Sequence, residues 1–94
     1  MKRFEVILER LAEKQFRKLP EPIRKALRTW TLLIEEEGIS AMRMIPGYHD
    51  EPLKGDRQGQ RSSRLNIAYR VIYREQQNGE LVIISVIEVN KHDY

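Results

Sequence analysis

The chain contains no cysteine, so neither a disulfide nor a thiolate metal site can staple it, and an apolar core has to carry the fold. The same absence permits a reducing, cytoplasmic setting. Nowhere does it reach the roughly 18 consecutive apolar residues that cross a bilayer, and Met1 to Leu8 lacks the apolar run of a secretory signal. A soluble, intracellular protein with no membrane partner is expected. Gly55 and Gly59 are not followed by the Lys-Ser/Thr pair of a phosphate-cradling loop, which argues against ATP chemistry. No serine has a histidine and an acid in a context that suggests acyl transfer, and Ser62 and Ser63 read as strand-entry residues. His49, Asp50 and Glu51 have no second histidine at helical ligand spacing, so no metal and no cofactor are expected, and Glu51 reads better as a proton acceptor. Internal repeats and low-complexity segments are also missing.

What is present suits one domain spanning residues 1–94, 40% hydrophobic and small enough to bury only roughly 60% of its surface. The net charge of +3 comes from 17 Lys and Arg against 14 Asp and Glu, and it is unevenly spread. Lys54, Arg57, Arg61, Arg64, Arg70 and Arg74 face only Asp56 in their stretch, while acids gather at Glu35, Glu36 and Glu37. Such asymmetry favours a polyanionic partner without separating RNA, DNA and an acidic protein.

Periodicity then assigns elements. Lys2 to Leu8 alternates as a first strand with Phe4, Val6 and Leu8 on one side, although it could equally open a helix. Leu11, Ala12, Gln15, Phe16 and Leu19 recur at helical spacing from Glu9 until Pro20 ends the run. Pro22 suits the opening turn of a second helix whose stripe of Ile23, Leu27, Trp30 and Ile34 runs to Gly38 and should cover a sheet, or else a partner. Ile39 to Ile45 is ambiguous, and Pro46 to Gln60 reads as mostly loop with room for one short strand. From Arg64 to Arg74 a single half-buried strand is expected, with Arg64, Arg70 and Arg74 on one face and Leu65, Ile67, Tyr69, Val71 and Tyr73 on the other. That arginine row either recognises phosphate or is an ordinary solvated face. Asn78-Gly79 offers a hairpin turn into Leu81 to Val89, apolar on both faces and therefore expected at the sheet centre. Beyond it, His92 and Tyr94 set an imidazole and a phenol at a strand end beside the arginines, able to move a proton and to stack on a base, or else to fray in solvent.

Asp50-Glu51-Pro52-Leu53-Lys54-Gly55, then Gly59 and Gln60, Arg61-Ser62-Ser63-Arg64, Ala68-Tyr69-Arg70-Val71-Ile72-Tyr73 and Lys91-His92-Asp93-Tyr94, in that order, resemble the RelE/ParE toxin superfamily of type II toxin-antitoxin modules, especially its YoeB-like and HigB-like branches. The order of strand, two helices and sheet agrees over nearly the whole chain, while the motifs fall in its second half. The resemblance implies an α+β fold, with an N-terminal strand and two helices packed on a mostly antiparallel sheet. It also implies a ribosome-dependent mRNA endonuclease, or mRNA interferase, that inhibits translation and is silenced by a cognate antitoxin. Glu51 matches the candidate general base, Arg70 the arginine at the scissile phosphate, His92 the general acid and Tyr94 the terminal tyrosine. Asp93 stands between the last two, where the YoeB-like ending has them adjacent. Arg64 lies close to groove-lining basic residues, His49 corresponds to a HigB-like histidine, and Lys54, Arg61 and Arg74 complete the expected substrate-binding set. RNA carries its own nucleophile in the 2′-hydroxyl, so a base, an acid and cations suffice without metal. Two alternatives stay open: a ParE-like, non-catalytic inhibitor of DNA gyrase sharing the fold, and a basic nucleic-acid-binding module. An apolar face left on the sheet is the expected seat of the antitoxin.

Overall fold

The stripe at Ile23, Leu27, Trp30 and Ile34 decides where the core forms. In the computed structural model, which describes residues 2–91, all four side chains are buried against one side of a five-stranded sheet. The chain runs β1 (Arg3–Leu8), α1 (Arg10–Lys18), α2 (Glu21–Glu37), a short α3 (Ile39–Arg43), β2 (Glu51–Pro52), β3 (Arg61–Arg64), β4 (Tyr69–Asn78) and β5 (Leu81–Lys91), with single 3₁₀ turns at Pro46–Tyr48 and Gly55–Arg57. Strand order is β1-β5-β4-β3-β2; β1 pairs parallel to β5 and every other pairing is antiparallel. The α+β architecture is as the sequence predicts.

Pro22 stands in the first turn of α2, where its missing N–H costs nothing, and Gly38 ends the helix at φ 92. A Cβ on Gly38 would come within 3.0 Å of the Phe4 ring, so the helix stop also lets β1 pack closely. The β4–β5 hairpin differs slightly from its expectation. Asn78 remains in the ladder opposite Leu81, and the two-residue loop is Gly79-Glu80, with a positive φ at Gly79 alone, the glycine-first pattern of a II′ turn.

Two sequence expectations are corrected. Arg64 to Arg74 is two strands, because the Asn66 side chain accepts hydrogen bonds from the backbone N–H of Ala68 (2.8 Å) and Tyr69 (2.7 Å) and folds residues 65–68 into a turn. Ile67, assigned to the core by alternation, is 84% exposed at that turn. The middle position belongs to β4, since β3 and β2 add beyond it, and β5 lies between β1 and β4.

Register sorts the side chains into two layers. Phe4, Val6, Leu8, Val71, Tyr73, Val82, Ile84, Val86 and Val89 meet the helices. The opposite, open face carries Glu51, Ser62, Arg64, Arg70, Ile72, Arg74, Glu88 and Asn90, as their cross-strand pairings require. Around the cleft this face is polar, while toward β1 it also carries Ile7, Leu81 and Ile83. A second apolar surface is a groove among β1, α1 and α2, about 270 Å³ in volume and lined by Val6, Leu8, Phe16, Leu27 and Leu32. Ile72 is fully buried although it faces the open side. It sits in the Ser62–Ile72–Glu88 row, and Arg57, from the turn beyond β2, reaches Glu88 across that row.

Candidate active site

The turn at Asn66 brings Arg64 and Arg70 together as direct cross-strand partners on the open face. Like charges placed opposite one another repel, yet among the described residues neither guanidinium has an acidic partner, and the Nε of Arg70 is buried without a hydrogen bond. Two guanidiniums held side by side and unneutralised are arranged to receive an anion, and their fork geometry matches phosphate.

Glu51 joins them from β2. Its partner is Ser62, which adjoins Ile72 rather than Arg70, so the carboxylate stands one row along the sheet from the Arg64–Arg70 pair and on the same face. His49 precedes it at φ 43, a left-handed backbone uncommon outside glycine, and its Nε2 lies 3.7 Å from the Glu51 carboxylate. Both side chains are more than half exposed. Together with Ser62, Asn66, Ile67 and Tyr69 these residues line a polar cleft of about 30 Å³. Two guanidiniums against one carboxylate give the cleft a positive balance even with His49 neutral.

The residue between His49 and Glu51 faces the other way, as strand alternation requires. Asp50 buries its carboxylate completely on the helix side. There Oδ1 accepts from Arg61 Nε (2.7 Å), and Oδ2 accepts from Ser63 Oγ (2.6 Å) and Tyr73 Oη (2.6 Å). Arg43 lies 3.6 Å from Oδ1 and donates to the Tyr73 hydroxyl at 3.3 Å. Burial first, then the hydrogen bond to the carboxylate, push the Tyr73 phenol well above its ordinary range, so it remains a protonated donor. Its ring packs edge-on against Trp30, centroids 5.4 Å apart, which ties this polar knot to the core.

The remaining predicted cations are distributed differently from the sequence expectation. Arg61 serves Asp50 on the helix side and does not reach the cleft. Arg74 shares the open face but pairs with Glu9 at 3.0 Å, away from the cleft. Lys54 is exposed in the loop after β2 and does not line the cleft. Arg57, part of the same basic stretch, is held by Glu88 and Gln60. Half of that linear run of cations, Arg57, Arg61 and Arg74, is thus answered by acids from elsewhere in the chain. The candidate acid His92 and Tyr94 lie outside the described residues; the last described residue, Lys91, pairs with Tyr69 at the cleft. Among the described residues no group of three or more His, Cys, Asp or Glu is placed to hold a metal ion, and no helix there is long and apolar enough to cross a membrane.

Periodicity missed Asn66, Tyr69 and Ser62 as cleft residues. Asn66 had a usable signal, since asparagine favours turns over strand interiors. Asp50 had none, because its partners come from three other elements.

The architecture can be set beside known proteins. No family model and no curated protein matches the chain. Solved structures do. A YoeB/ParE toxin from Agrobacterium tumefaciens superposes with a TM-score of 0.68 at 20% identity, covering 99% of this chain and 100% of that one. The YoeB dimer from Staphylococcus aureus gives 0.70 at 19% identity, covering 98% and 99%. The chain carries the RelE/ParE toxin fold. A third structure with this toxin fold, the toxin-antitoxin complex RelBE2 from Mycobacterium tuberculosis, matches with a TM-score of 0.67 at 22% identity over 96% of this chain and 99% of that one.

Proposed function

We infer that the protein is the toxin of a type II toxin-antitoxin module and acts as a metal-independent endoribonuclease on mRNA at the ribosome. The observation that carries this reading is the cleft on the open face, where Glu51 shares one surface with the unpaired Arg64 and Arg70. Glu51 removes the proton of an RNA 2′-hydroxyl, and the freed oxygen attacks the adjacent phosphorus. Arg70 and Arg64 hold the charge that builds on the non-bridging oxygens. The bond to the 5′-oxygen breaks as a general acid protonates it, leaving a 2′,3′-cyclic phosphate and a 5′-hydroxyl. Resemblance in the last residues assigns the acid to His92 and matches Tyr94 to the terminal tyrosine; in this reading His49, 3.7 Å from Glu51, binds substrate and influences the base.

The cognate antitoxin is the proposed protein partner. Support comes from the toxin-antitoxin complexes that share this fold, RelBE2 and YoeB-YefM among them, and from the groove among β1, α1 and α2, which offers such a partner apolar surface to cover. The proposed place of action is the cytoplasm.

Mapping RNA 5′ ends after brief induction tests the activity. New 5′-hydroxyl ends within coding sequence should appear with the wild type and fall by about 10² to 10⁴ in Glu51→Gln and in His92→Gln, the usual contribution of a general base or acid. Growth arrest without new RNA ends, accompanied by a DNA damage response, would replace this reading with gyrase inhibition. Salt-dependent RNA binding without arrest or cleavage would reduce the protein to a nucleic-acid-binding module.

A further inference from the structure

The ladder that presents Glu51 is thin. β2 has two residues, paired Glu51 to Ser62 and Pro52 to Arg61, and proline donates no backbone hydrogen bond. The next tie is the Leu53 N–H to the Gln60 carbonyl at 2.9 Å. A slip of one residue would turn Glu51 to the helix side and Asp50 to the open side, since side chains alternate with a period of two. His49 adds to the difficulty, because a left-handed non-glycine backbone persists only where its surroundings enforce it.

Asp50 supplies what the ladder lacks. Its carboxylate binds Arg61 and Ser63, the two residues flanking Ser62, which is the partner of Glu51, and it binds Tyr73 on the next strand. The grip is on the dry side of the sheet and straddles the position where register matters. We propose that Asp50 is a positioning residue that fixes β2 in register and thereby holds Glu51 and His49 in the cleft. It touches no substrate and works through its neighbours in the chain. The effect on cleavage rests on the ribonuclease reading; the effect on register does not.

The experiment uses the full chain carrying Asp50→Asn, which keeps the shape, removes the charge that Arg61 pairs with and turns one acceptor oxygen into a donor. Amide hydrogen exchange at Leu53 should accelerate by at least about tenfold and stay faster than exchange of the β4 and β5 amides, the pattern of a local opening. In RNA cleavage kcat should fall by about 10²-fold, as for loss of an aligned base, with KM rising far less, because Arg64 and Arg70 sit on other strands and only the His49 contact is lost. Asp50→Asn combined with Glu51→Gln should be no slower than Glu51→Gln alone. Unchanged exchange at Leu53, or exchange there only at the rate of the β4 and β5 amides, overturns the proposal. Should Asp50→Asn fail to fold, Ser63→Ala removes one donor and leaves the carboxylate in place; it must accelerate Leu53 while keeping it faster than the β4 and β5 amides, or the proposal falls. A wild type that cleaves no RNA removes the ribonuclease reading and leaves exchange to decide the register.

Discussion

Two pairs of arginines stand on opposite sides of the same sheet and differ in one respect. Arg43 and Arg61 converge on a buried carboxylate, with Tyr73 and Ser63 completing its hydrogen bonds. Arg64 and Arg70 face each other with no acid between them among the described residues, where one buried N–H is left without a partner. The first arrangement satisfies every participant and has nothing left to offer a ligand. The second leaves repulsion and an unmade hydrogen bond in the free protein, both relieved when an anion arrives. Neutralised guanidiniums build the fold here, and unneutralised ones are available for recognition.

The contrast can be broken in order of expected size. Asp50→Ala leaves the buried Tyr73 hydroxyl and the partly exposed Arg61 without their shared acceptor and should lower unfolding free energy by about 3–5 kcal/mol in urea titration; a loss below about 1 kcal/mol would mean that the knot contributes little. Arg70→Ala should do the reverse. It should leave stability within about 0.5 kcal/mol while weakening RNA binding by about 1.5–3 kcal/mol, the worth of a charge-assisted hydrogen bond. Equal loss of stability in the two variants would erase the distinction.

Tyr73→Phe removes one of several donors to Asp50 and should cost about 1 kcal/mol at neutral pH. It also carries a pH signature. Because the folded phenol titrates above the unfolded one, its contribution is complete below about pH 10 and declines as pH rises toward the folded value, at up to about 1.4 kcal/mol per pH unit. The wild type should therefore lose stability above pH 10 more steeply than Tyr73→Phe, as thermal melts across that range will show. Smallest of all, Arg74→Ala breaks an exposed pair with Glu9 and should change stability by less than about 1 kcal/mol, with RNA cleavage near wild type.

Local pattern made the scaffold legible. The stripe from Ile23 to Ile34, the stop at Gly38 and the hairpin at Gly79 each depend on neighbours a few residues away, and each is found nearly where periodicity places it. The cleft was legible only in outline. Alternation put Arg64 and Arg70 on one face correctly, but for the wrong reason, since they are partners across a turn rather than neighbours along a strand. What sequence could not supply is which cations meet an acid. Arg57, Arg61 and Arg74 find Glu88, Asp50 and Glu9 through register and strand order, so a count of charges along the chain overstates the basic surface. Resemblance singled out Glu51 as the base, but the buried role of its neighbour Asp50 became visible only when the pleat sent one inward and the other out.

Glu35 of α2 bears on how this protein can meet others. Its carboxylate accepts the Val6 N–H at 3.0 Å, midway along the outer margin of β1, while the far margin is the short β2 with its proline. A strand arriving at the first margin must displace a fixed anion, and one arriving at the second finds little backbone to zip onto. Extension of the sheet from molecule to molecule is thereby discouraged at both ends, which favours partners that grip by side chains and helps a small basic domain stay dispersed.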